Sequence, residues 1–362
     1  MKYAHLGLWL LVLATGSPAA FADIDRCGAE IVAAFDIGSG TTRMHLAKLD
    51  PCSELPLRRL ISTGERVDFA ADLGTGSNAK FSHQIIVLAT NKMAGLVAQA
   101  NSEGAQVLLG VATEAFRRAD NGRALLDDWQ RAFGIEIDII GQREEGRLAY
   151  RLAEHIAPEA EKLLVWDIGA GSQQLVWRDA VTGDFRHFDP NLASVTFRDR
   201  AVAALGRPQG MLSPNPIAAD EVPILVALIE EWIADQRPDD LPTLLNEKVE
   251  VIGLGGVHGA SVTGQVGVAL GEVIARDQVA NALAGQLGRD DTKIGGGYAD
   301  TDVTNLVLVH TLMGVYGIER YRSTRGDLGE AILVSCLHSR QHSDVLPRPP
   351  GRLRSDCLRG GR

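Results

Sequence analysis

The chain has 362 residues, 45% hydrophobic but only 5% aromatic, with 36 Lys and Arg against 46 Asp and Glu. That length accommodates roughly two domains, and the apolar fraction excludes wholesale disorder. A net charge of −10 excludes a protein that coats nucleic acid through its overall field. Glycine is the outlier, with 39 residues mostly set in short clusters beside apolar runs, so anions must be handled by local devices. Four cysteines are too few for a disulfide scaffold and lack zinc-site spacing.

At the N-terminus, Lys2 precedes an apolar run from Leu6 to Ala14, then Gly16-Ser17-Pro18 and Ala20-Phe21-Ala22. Charge, short apolar core and an A-x-A end predict a signal peptide over residues 1–22. The run is short for a bilayer, and charged residues interrupt every later apolar stretch. The expected mature protein is periplasmic or secreted, outside the membrane, and one charge more acidic because Lys2 is lost. Export permits disulfides. Ile31–Phe35 and Met44–Leu49 read as strands around a Gly-rich turn. An antiparallel register centred between Ser39 and Gly40 predicts a Cys27–Cys52 bridge, leaving Cys336 and Cys357 for each other.

Further along, Val107–Val111 reads as a strand followed by a helix over about Thr113–Arg131. Ile135–Ile140 leads into a helix from about Arg143 to His155. Leu163–Asp167, Gln174–Arg178 and Asp184–Phe188 are strand-like, and about Ala218–Ala234 is helical between Pro-rich loops. Glu250–Gly253 is another apolar strand closed by glycines. Strands alternating with helices predict an α/β fold. From Arg340 onward the chain turns polar, Arg-rich and Pro/Gly-rich, as in a disordered tail.

One pattern occurs twice. Ala33-Ala34-Phe35-Asp36-Ile37-Gly38-Ser39-Gly40 and Leu164-Val165-Trp166-Asp167-Ile168-Gly169-Ala170-Gly171-Ser172 both read strand, Asp-Ile-Gly, turn. Such a repeat predicts two like-built domains around a cleft. The turns suit phosphate: glycines let successive N–H groups converge on an anion. Ser39, Thr41 and Ser172 add hydroxyl donors, and the strand-ending Asp can hold a divalent cation. A plain hairpin is the rival reading of either turn alone. A third cluster, Gly253-Leu254-Gly255-Gly256-Val257-His258-Gly259, also suits backbone contact, with His258 more often incidental in such a loop. Thr113 and Glu114 open one helix, with Arg117 and Arg118 a turn on. Glu144 and Glu145 open another, where acids either complement the helix dipole or present a carboxylate that activates water.

Together these runs resemble the exopolyphosphatase/guanosine pentaphosphate phosphohydrolase (Ppx/GppA) family of the actin-like ATPase superfold. The resemblance rests on F-D-I-G-S-G-T-T-R (35–43), V-A-T-E-A-F-R (111–117), I-I-G-Q-R-E-E-G-R-L (139–148), V-W-D-I-G-A-G-S (165–172), G-L-G-G-V-H-G (253–259) and R-G-D-L-G-E-A-I-L (325–333). It implies two actin-like (ribonuclease H-like) α/β domains, 23–145 and 146–338, with a central cleft and a last helix able to return to the first domain. Residues 339–362 form the basic tail. By the same resemblance Glu145 matches the catalytic base and Arg117 a cleft arginine. Asp167 matches the metal-associated acid, with Glu144 and Asp36 beside it. Gly38, Ser39, Gly40, Thr41, Arg43, Gly169, Ala170, Gly171, Ser172, Gly255 and Gly256 form the phosphate-binding set.

The implied activity is release of terminal phosphate from inorganic polyphosphate, assisted by Mg²⁺ or another divalent cation. Hydrolysis of guanosine pentaphosphate and non-catalytic polyphosphate binding are the alternatives. No nucleic-acid partner is expected, and a homodimer is a compatible assembly. The chain departs from the family's usual residues at Gly40, Ala170, Gln173 and Val257. A lost hydroxyl contact would cost about 1–1.5 kcal/mol.

Overall fold

The computed structural model describes residues 28–341, except 74–78, 180, 209, 235, 237, 239–240 and 246–247, together with Cys357. The expected signal peptide, Cys27 and residues 342–362 of the expected tail apart from Cys357 lie outside the described residues, whereas residues 339–341, expected in that disordered tail, end the helix Leu328–Gln341. The first sheet contains β1 (Glu30–Ile37), β2 (Thr41–Leu49), β3 (Leu57–Arg66), β4 (Val107–Ala112) and β5 (Glu136–Ile139). The second contains β6 (Leu163–Ile168), β7 (Gln173–Arg178), β8 (Phe185–Phe188), β9 (Glu250–Leu254), β10 (Val273–Ala275) and β11 (Arg320–Ser323).

Both sheets follow one plan. Their orders are β3-β2-β1-β4-β5 and β10-β11-β9-β6-β7-β8. In each, three strands form an antiparallel meander. The first of the three then pairs in parallel with a fourth strand, and the fourth with a fifth. β10 is an added antiparallel edge of the second sheet. The repeated Asp-Ile-Gly stretch is therefore the first hairpin of a repeated sheet.

The β1–β2 register pairs Glu30 with Leu49 and Ile37 with Thr42, so it is centred between Ser39 and Gly40 as the sequence implied. Cys52 is disulfide-bonded, and its expected partner Cys27 is among the undescribed residues. Cys336 and Cys357 form a disulfide with Cα atoms 4.4 Å apart.

Some boundaries moved for identifiable reasons. The expected helix over Thr113–Arg131 is two helices, Glu114–Arg118 and Gly122–Phe133. Ala119 is extended at the break, and a Cβ at Gly122 would lie 2.9 Å from the Phe116 carbonyl oxygen. The helix expected from Ala218 begins at Val222, with Pro223 in its first turn, where a missing N–H costs nothing. β3 escaped sequence reading because an edge strand rich in Arg and Glu has little apolar alternation. The helices His83–Ser102 and Ala299–Tyr316 were also not anticipated.

Alternation sorts the side chains into three cores. Val32 and Ala34 of β1 and Leu163 and Val165 of β6 face a central core. Two helices fill it, Gln142–Ile156 and Leu328–Gln341, packed on each other between the sheets. The last helix thus lies against β1, β2 and β4 of the first sheet. Ala33, Phe35 and Ile37 face an outer core under the helices His83–Ser102 and Gly122–Phe133. Leu164, Trp166 and Ile168 face the other outer core, which includes the helix Ala299–Tyr316. No helix among the described residues is long and apolar enough to cross a membrane.

Phe69, Phe81 and Phe116 form a ring cluster with centroids 4.9–5.0 Å apart. Phe116 precedes the break between the two short helices and is 1% exposed. Phe116→Ala should cost about 3–5 kcal/mol in chemical denaturation. A loss under about 1 kcal/mol would show that the cluster collapses freely around the gap.

Candidate active site

Strand parity decides where the two aspartates point. Asp36 continues the inward row of Val32 and Ala34, and Asp167 that of Leu163 and Val165. Both carboxylates therefore stand at the ends of their strands on the side between the sheets. Across the hairpins, Asp36 is registered with Arg43 and Asp167 with Gln174. Gln174 Nε2 donates to Asp167 Oδ2 at 3.2 Å. Gly255 has φ +83°, a conformation glycine adopts readily, and a Cβ there would run into Asp167 Oδ1. The third glycine loop is thus pressed against the second aspartate.

The turns match each other bond for bond. Gly38 N–H donates to the Thr41 carbonyl at 3.0 Å, and Gly169 N–H to that of Ser172 at 2.9 Å. The Ser39 carbonyl accepts from Ala70 N–H and the Ala170 carbonyl from Val195 N–H, both at 2.9 Å. Gly38 and Gly169 therefore spend their N–H groups inside the turns, and Gly255 donates its own to the Gly326 carbonyl at 3.2 Å. These three shape the site but bring no N–H to an anion. Among the described residues the N–H groups of Ser39, Gly40, Ala170, Gly171, Ser172 and Gly256 carry no such commitment.

The turns face one another. A Cβ on Gly40 would lie 3.7 Å from the Ala170 methyl, and one on Gly171 3.5 Å from Ser39 Oγ. Ser39 Oγ donates to Glu114 Oε2 at 2.9 Å, and Arg118 holds the other Glu114 oxygen at 2.9 Å. Arg43 Nη2 stands 3.4 Å from a Cβ position on Gly256, so this arginine reaches from β2 across to the third loop. Thr41 opens β2 at the edge of the first turn. Thr113 occupies the cap position of its helix without capping it; its Oγ1 instead donates to the Ile37 carbonyl at 3.5 Å.

The neighbouring acids Glu144 and Glu145 divide the two sequence readings between them. Glu144 is exposed, and its Oε2 accepts the Gly141 N–H at 2.9 Å. It completes the start of its own helix, so the structure does not bring it to the metal-associated role expected for it. Glu145 is 3% exposed and ion-paired with Arg117. Arg117 also donates to the Ile140 carbonyl at 2.7 Å, which fixes the guanidinium.

Asp327, from the R-G-D-L-G-E-A-I-L run, acts on Asp36, Asp167 and His45 together. Its Oδ1 accepts the N–H groups of Gly329 at 2.9 Å and Glu330 at 3.2 Å, capping the last helix. Its Oδ2 faces His45 Nε2 at 2.9 Å and Arg43 Nε at 3.8 Å. An Asp just before an apolar helical run, with Glu330 three residues on, was the available signal.

Burial and mutual repulsion disturb the acids. Burial pushes Glu145 up to about 7, with Arg117 opposing and Asp167 and Asp189 adding to the rise. Burial pushes Asp167 to about 6 against the Gln174 hydrogen bond, with Asp327 adding. Burial raises Asp36, and Asp327, Glu145 and Asp167 raise it further while Arg43 opposes. Burial would raise Asp327 too, but His45 and Arg43 outweigh it and leave this carboxyl below its usual range. His45 rises despite burial because Asp327 and Glu330 face it.

Among the described residues no three His, Cys, Asp or Glu side chains are grouped to hold a metal on their own. Mg²⁺ commonly takes only one or two carboxylates and completes its shell with water and phosphate oxygens. Asp36, buried, and Asp167, partly buried, are hard-oxygen donors in a repulsive field and fit that kind of site. His258 does not belong to it. This ring is fully buried against Trp166 and Tyr321, and burial holds it neutral, at about 3.

Residues 51–185 match the sequence profile of the Ppx/GppA phosphatase family. A Haemophilus influenzae protein provisionally named an exopolyphosphatase is 29% identical over 151 residues, 42% of this chain and 45% of that protein. The crystal structure of the Aquifex aeolicus Ppx/GppA family member superimposes with TM-score 0.68 at 17% identity, covering 87% of this chain and 100% of that one. An exopolyphosphatase structure from Cytophaga hutchinsonii gives 0.67 at 15% identity, covering 86% and 98%. The two-sheet α/β architecture is thus that of the Ppx/GppA structures, an actin-like fold.

Because Glu145 and Asp167 bind protons more tightly folded than unfolded, the stability these two carboxyls contribute is lost as pH rises from about 4 through about 7. In chelator-containing buffer, Asp167→Asn should lose less melting temperature between about pH 5 and about pH 8 than the parent does. Parallel curves for the two proteins would contradict this account.

Proposed function

We propose that this chain, with the Ppx/GppA sequence signature over residues 51–185 and the fold of that family's structures, hydrolyses phosphoanhydrides. Its substrate would be inorganic polyphosphate outside the cytoplasm, and its product the terminal phosphate. The observation that carries this reading is Glu145. It is a buried carboxyl brought to about 7, fixed by Arg117 and standing in the field of Asp167 and Asp36. A base with that affinity can take a proton near neutral pH.

The terminal phosphate would lie at the facing turns. Its oxygens would accept the open N–H groups of Ser39, Gly40, Gly171 and Ser172 and meet the Arg43 guanidinium. Phosphate would also take the Ser39 hydroxyl from Glu114. A divalent cation on Asp167 and Asp36 would supply charge neutralisation. Glu145 orients a water opposite the bridging oxygen and accepts its proton. The water oxygen bonds to phosphorus as the bridging P–O bond breaks, and the shortened chain leaves with that oxygen. Positioning and charge stabilisation carry most of such a reaction.

Two of the departures from the family pattern bear little on catalysis. Gln173 is 1% exposed and follows the outward parity of Leu175 and Trp177. Val257 is 4% exposed in the same outer core. Neither side chain lines the cleft, so neither removes a phosphate contact. Gly40 and Ala170 do face it, the Ala170 methyl lying 3.7 Å from a Cβ position on Gly40. That methyl favours the second reading, a polyphosphate binder without turnover. Guanosine pentaphosphate hydrolysis uses the same groups, but the expected export removes the chain from that nucleotide.

Purified protein with Mg²⁺ and inorganic polyphosphate should release phosphate, and Glu145→Gln should lower kcat by about 10²–10⁴-fold. Turnover unaffected by that change would remove Glu145 as base, and metal-dependent binding without release would favour the binder. Since Arg117 lowers the proton affinity of Glu145, Arg117→Met should move the rising limb of the pH–rate profile to higher pH. An unmoved limb would separate the pair from catalysis.

A further inference from the structure

Beside the cleft lies a cavity of about 280 Å³ whose wall includes Arg143, Arg147, Arg186 and His187, with Trp177 and Phe185 behind them. Arg143 and Arg147 give this hollow a positive local potential that favours an anion, while Arg186 in the same wall already takes part in an interaction of its own. Arg143 and Arg147 are four residues apart on one helix, which places them on the same face. Both are exposed, and among the described residues neither forms an ion pair. Arg186 and His187 come from β8. The His187 Nδ1 is buried without a hydrogen-bond partner among the described residues. Burial, with Arg143 and Arg147 adding, holds this imidazole neutral at about 4.

The cavity adjoins the reaction site. Glu145 lies between Arg143 and Arg147 in the same helix, turned to the buried face. Asp189, two residues after His187, feels both Arg143 and Arg117 and itself acts on Glu145. A polyanion with its end at Glu145 therefore has a cationic hollow next to it. The aromatic residues offer no open stacking platform for a nucleobase. Trp177 is 3% exposed, and guanidiniums of Arg147 and Arg178 already lie over Phe185 at 5.8 and 4.3 Å.

We propose that this cavity is a second anion site, holding the distal phosphates of the chain whose terminal phosphate lies at Glu145. The proposal rests on the polyphosphate reading above and assigns Arg143 and Arg147 to length preference rather than chemistry. A single phosphate group would gain little here. An extended chain would engage both sites through one molecule, which multiplies affinity without altering the reacting end.

The test compares the parent with Arg143→Ala/Arg147→Ala, and with Arg143→Gln alone should the double variant melt early. For long-chain polyphosphate KM should rise at least about tenfold with kcat within about twofold, while tripolyphosphate constants stay within about twofold. Equal effects on both substrates, no effect, or a loss confined to guanosine pentaphosphate would overturn the site. Calorimetry with long-chain polyphosphate separates this proposal from the hydrolase reading. Binding by the parent without phosphate release, weakened at least about tenfold in the double variant, supports the site while the hydrolase reading fails. Phosphate release with undiminished long-chain binding in the double variant rejects the site alone. Absence of both binding and release in the parent rejects both.

Discussion

Four carboxylates, Asp36, Glu145, Asp167 and Asp327, share one buried field between two sheets, and the surrounding architecture answers to that. Arg43 and Arg117 offset part of the repulsion, and His45 takes up Asp327. Burial, together with the repulsion that remains, raises Asp36, Glu145 and Asp167 above their ordinary proton affinities. Such a cluster is expensive when nothing positive accompanies it, because burial removes the water that would solvate each charge. The expense is localised where a cationic complement and an anionic ligand would meet, as expected at a reactive site.

Holding the cluster together requires contributions from across the chain. The two aspartates come from the first strands of duplicated sheets, and Glu145 from a helix packed between them. Asp327 comes from the cap of the last helix, which follows the second sheet and packs on the first. That helix closes the central core through Leu328, Ile332 and Leu333. The same cap positions Arg43, so the packing of the last helix and the electrostatics of the first hairpin are not separable. Gly255 works in the same way, since its missing side chain lets the third loop settle against Asp167.

Much of this was readable from residue patterns. The paired Asp-Ile-Gly runs announced the duplication, and the symmetric apolar runs fixed the hairpin register to the residue. Parity along Val32, Ala34 and Asp36 already implied an inward carboxylate. Other elements were not readable. β3 carries too many charges to alternate, and Ala299–Tyr316 is apolar on most sides, so its pattern has little helical contrast. Glu144 and Glu145 are chemically equivalent neighbours. Only the rotation of their helix against β6 and β7 made one a cap and the other a buried acid.

By itself the sequence determined the hairpins, the duplicated plan and the chemical types that reach the cleft. These follow from short-range rules: a period of two in strands, glycine at turns, and acids at helix starts. Tertiary structure alone decided which turn amides stay open, that Gln173 and Val257 point away from the cleft, and that Asp327 joins the cluster. It also assembled Arg143, Arg147, Arg186 and His187 around one hollow. The physical reason is distance along the chain. Electrostatic fields and hydrogen-bond commitments depend on groups that packing brings together from residues far apart in sequence, and no local pattern records them.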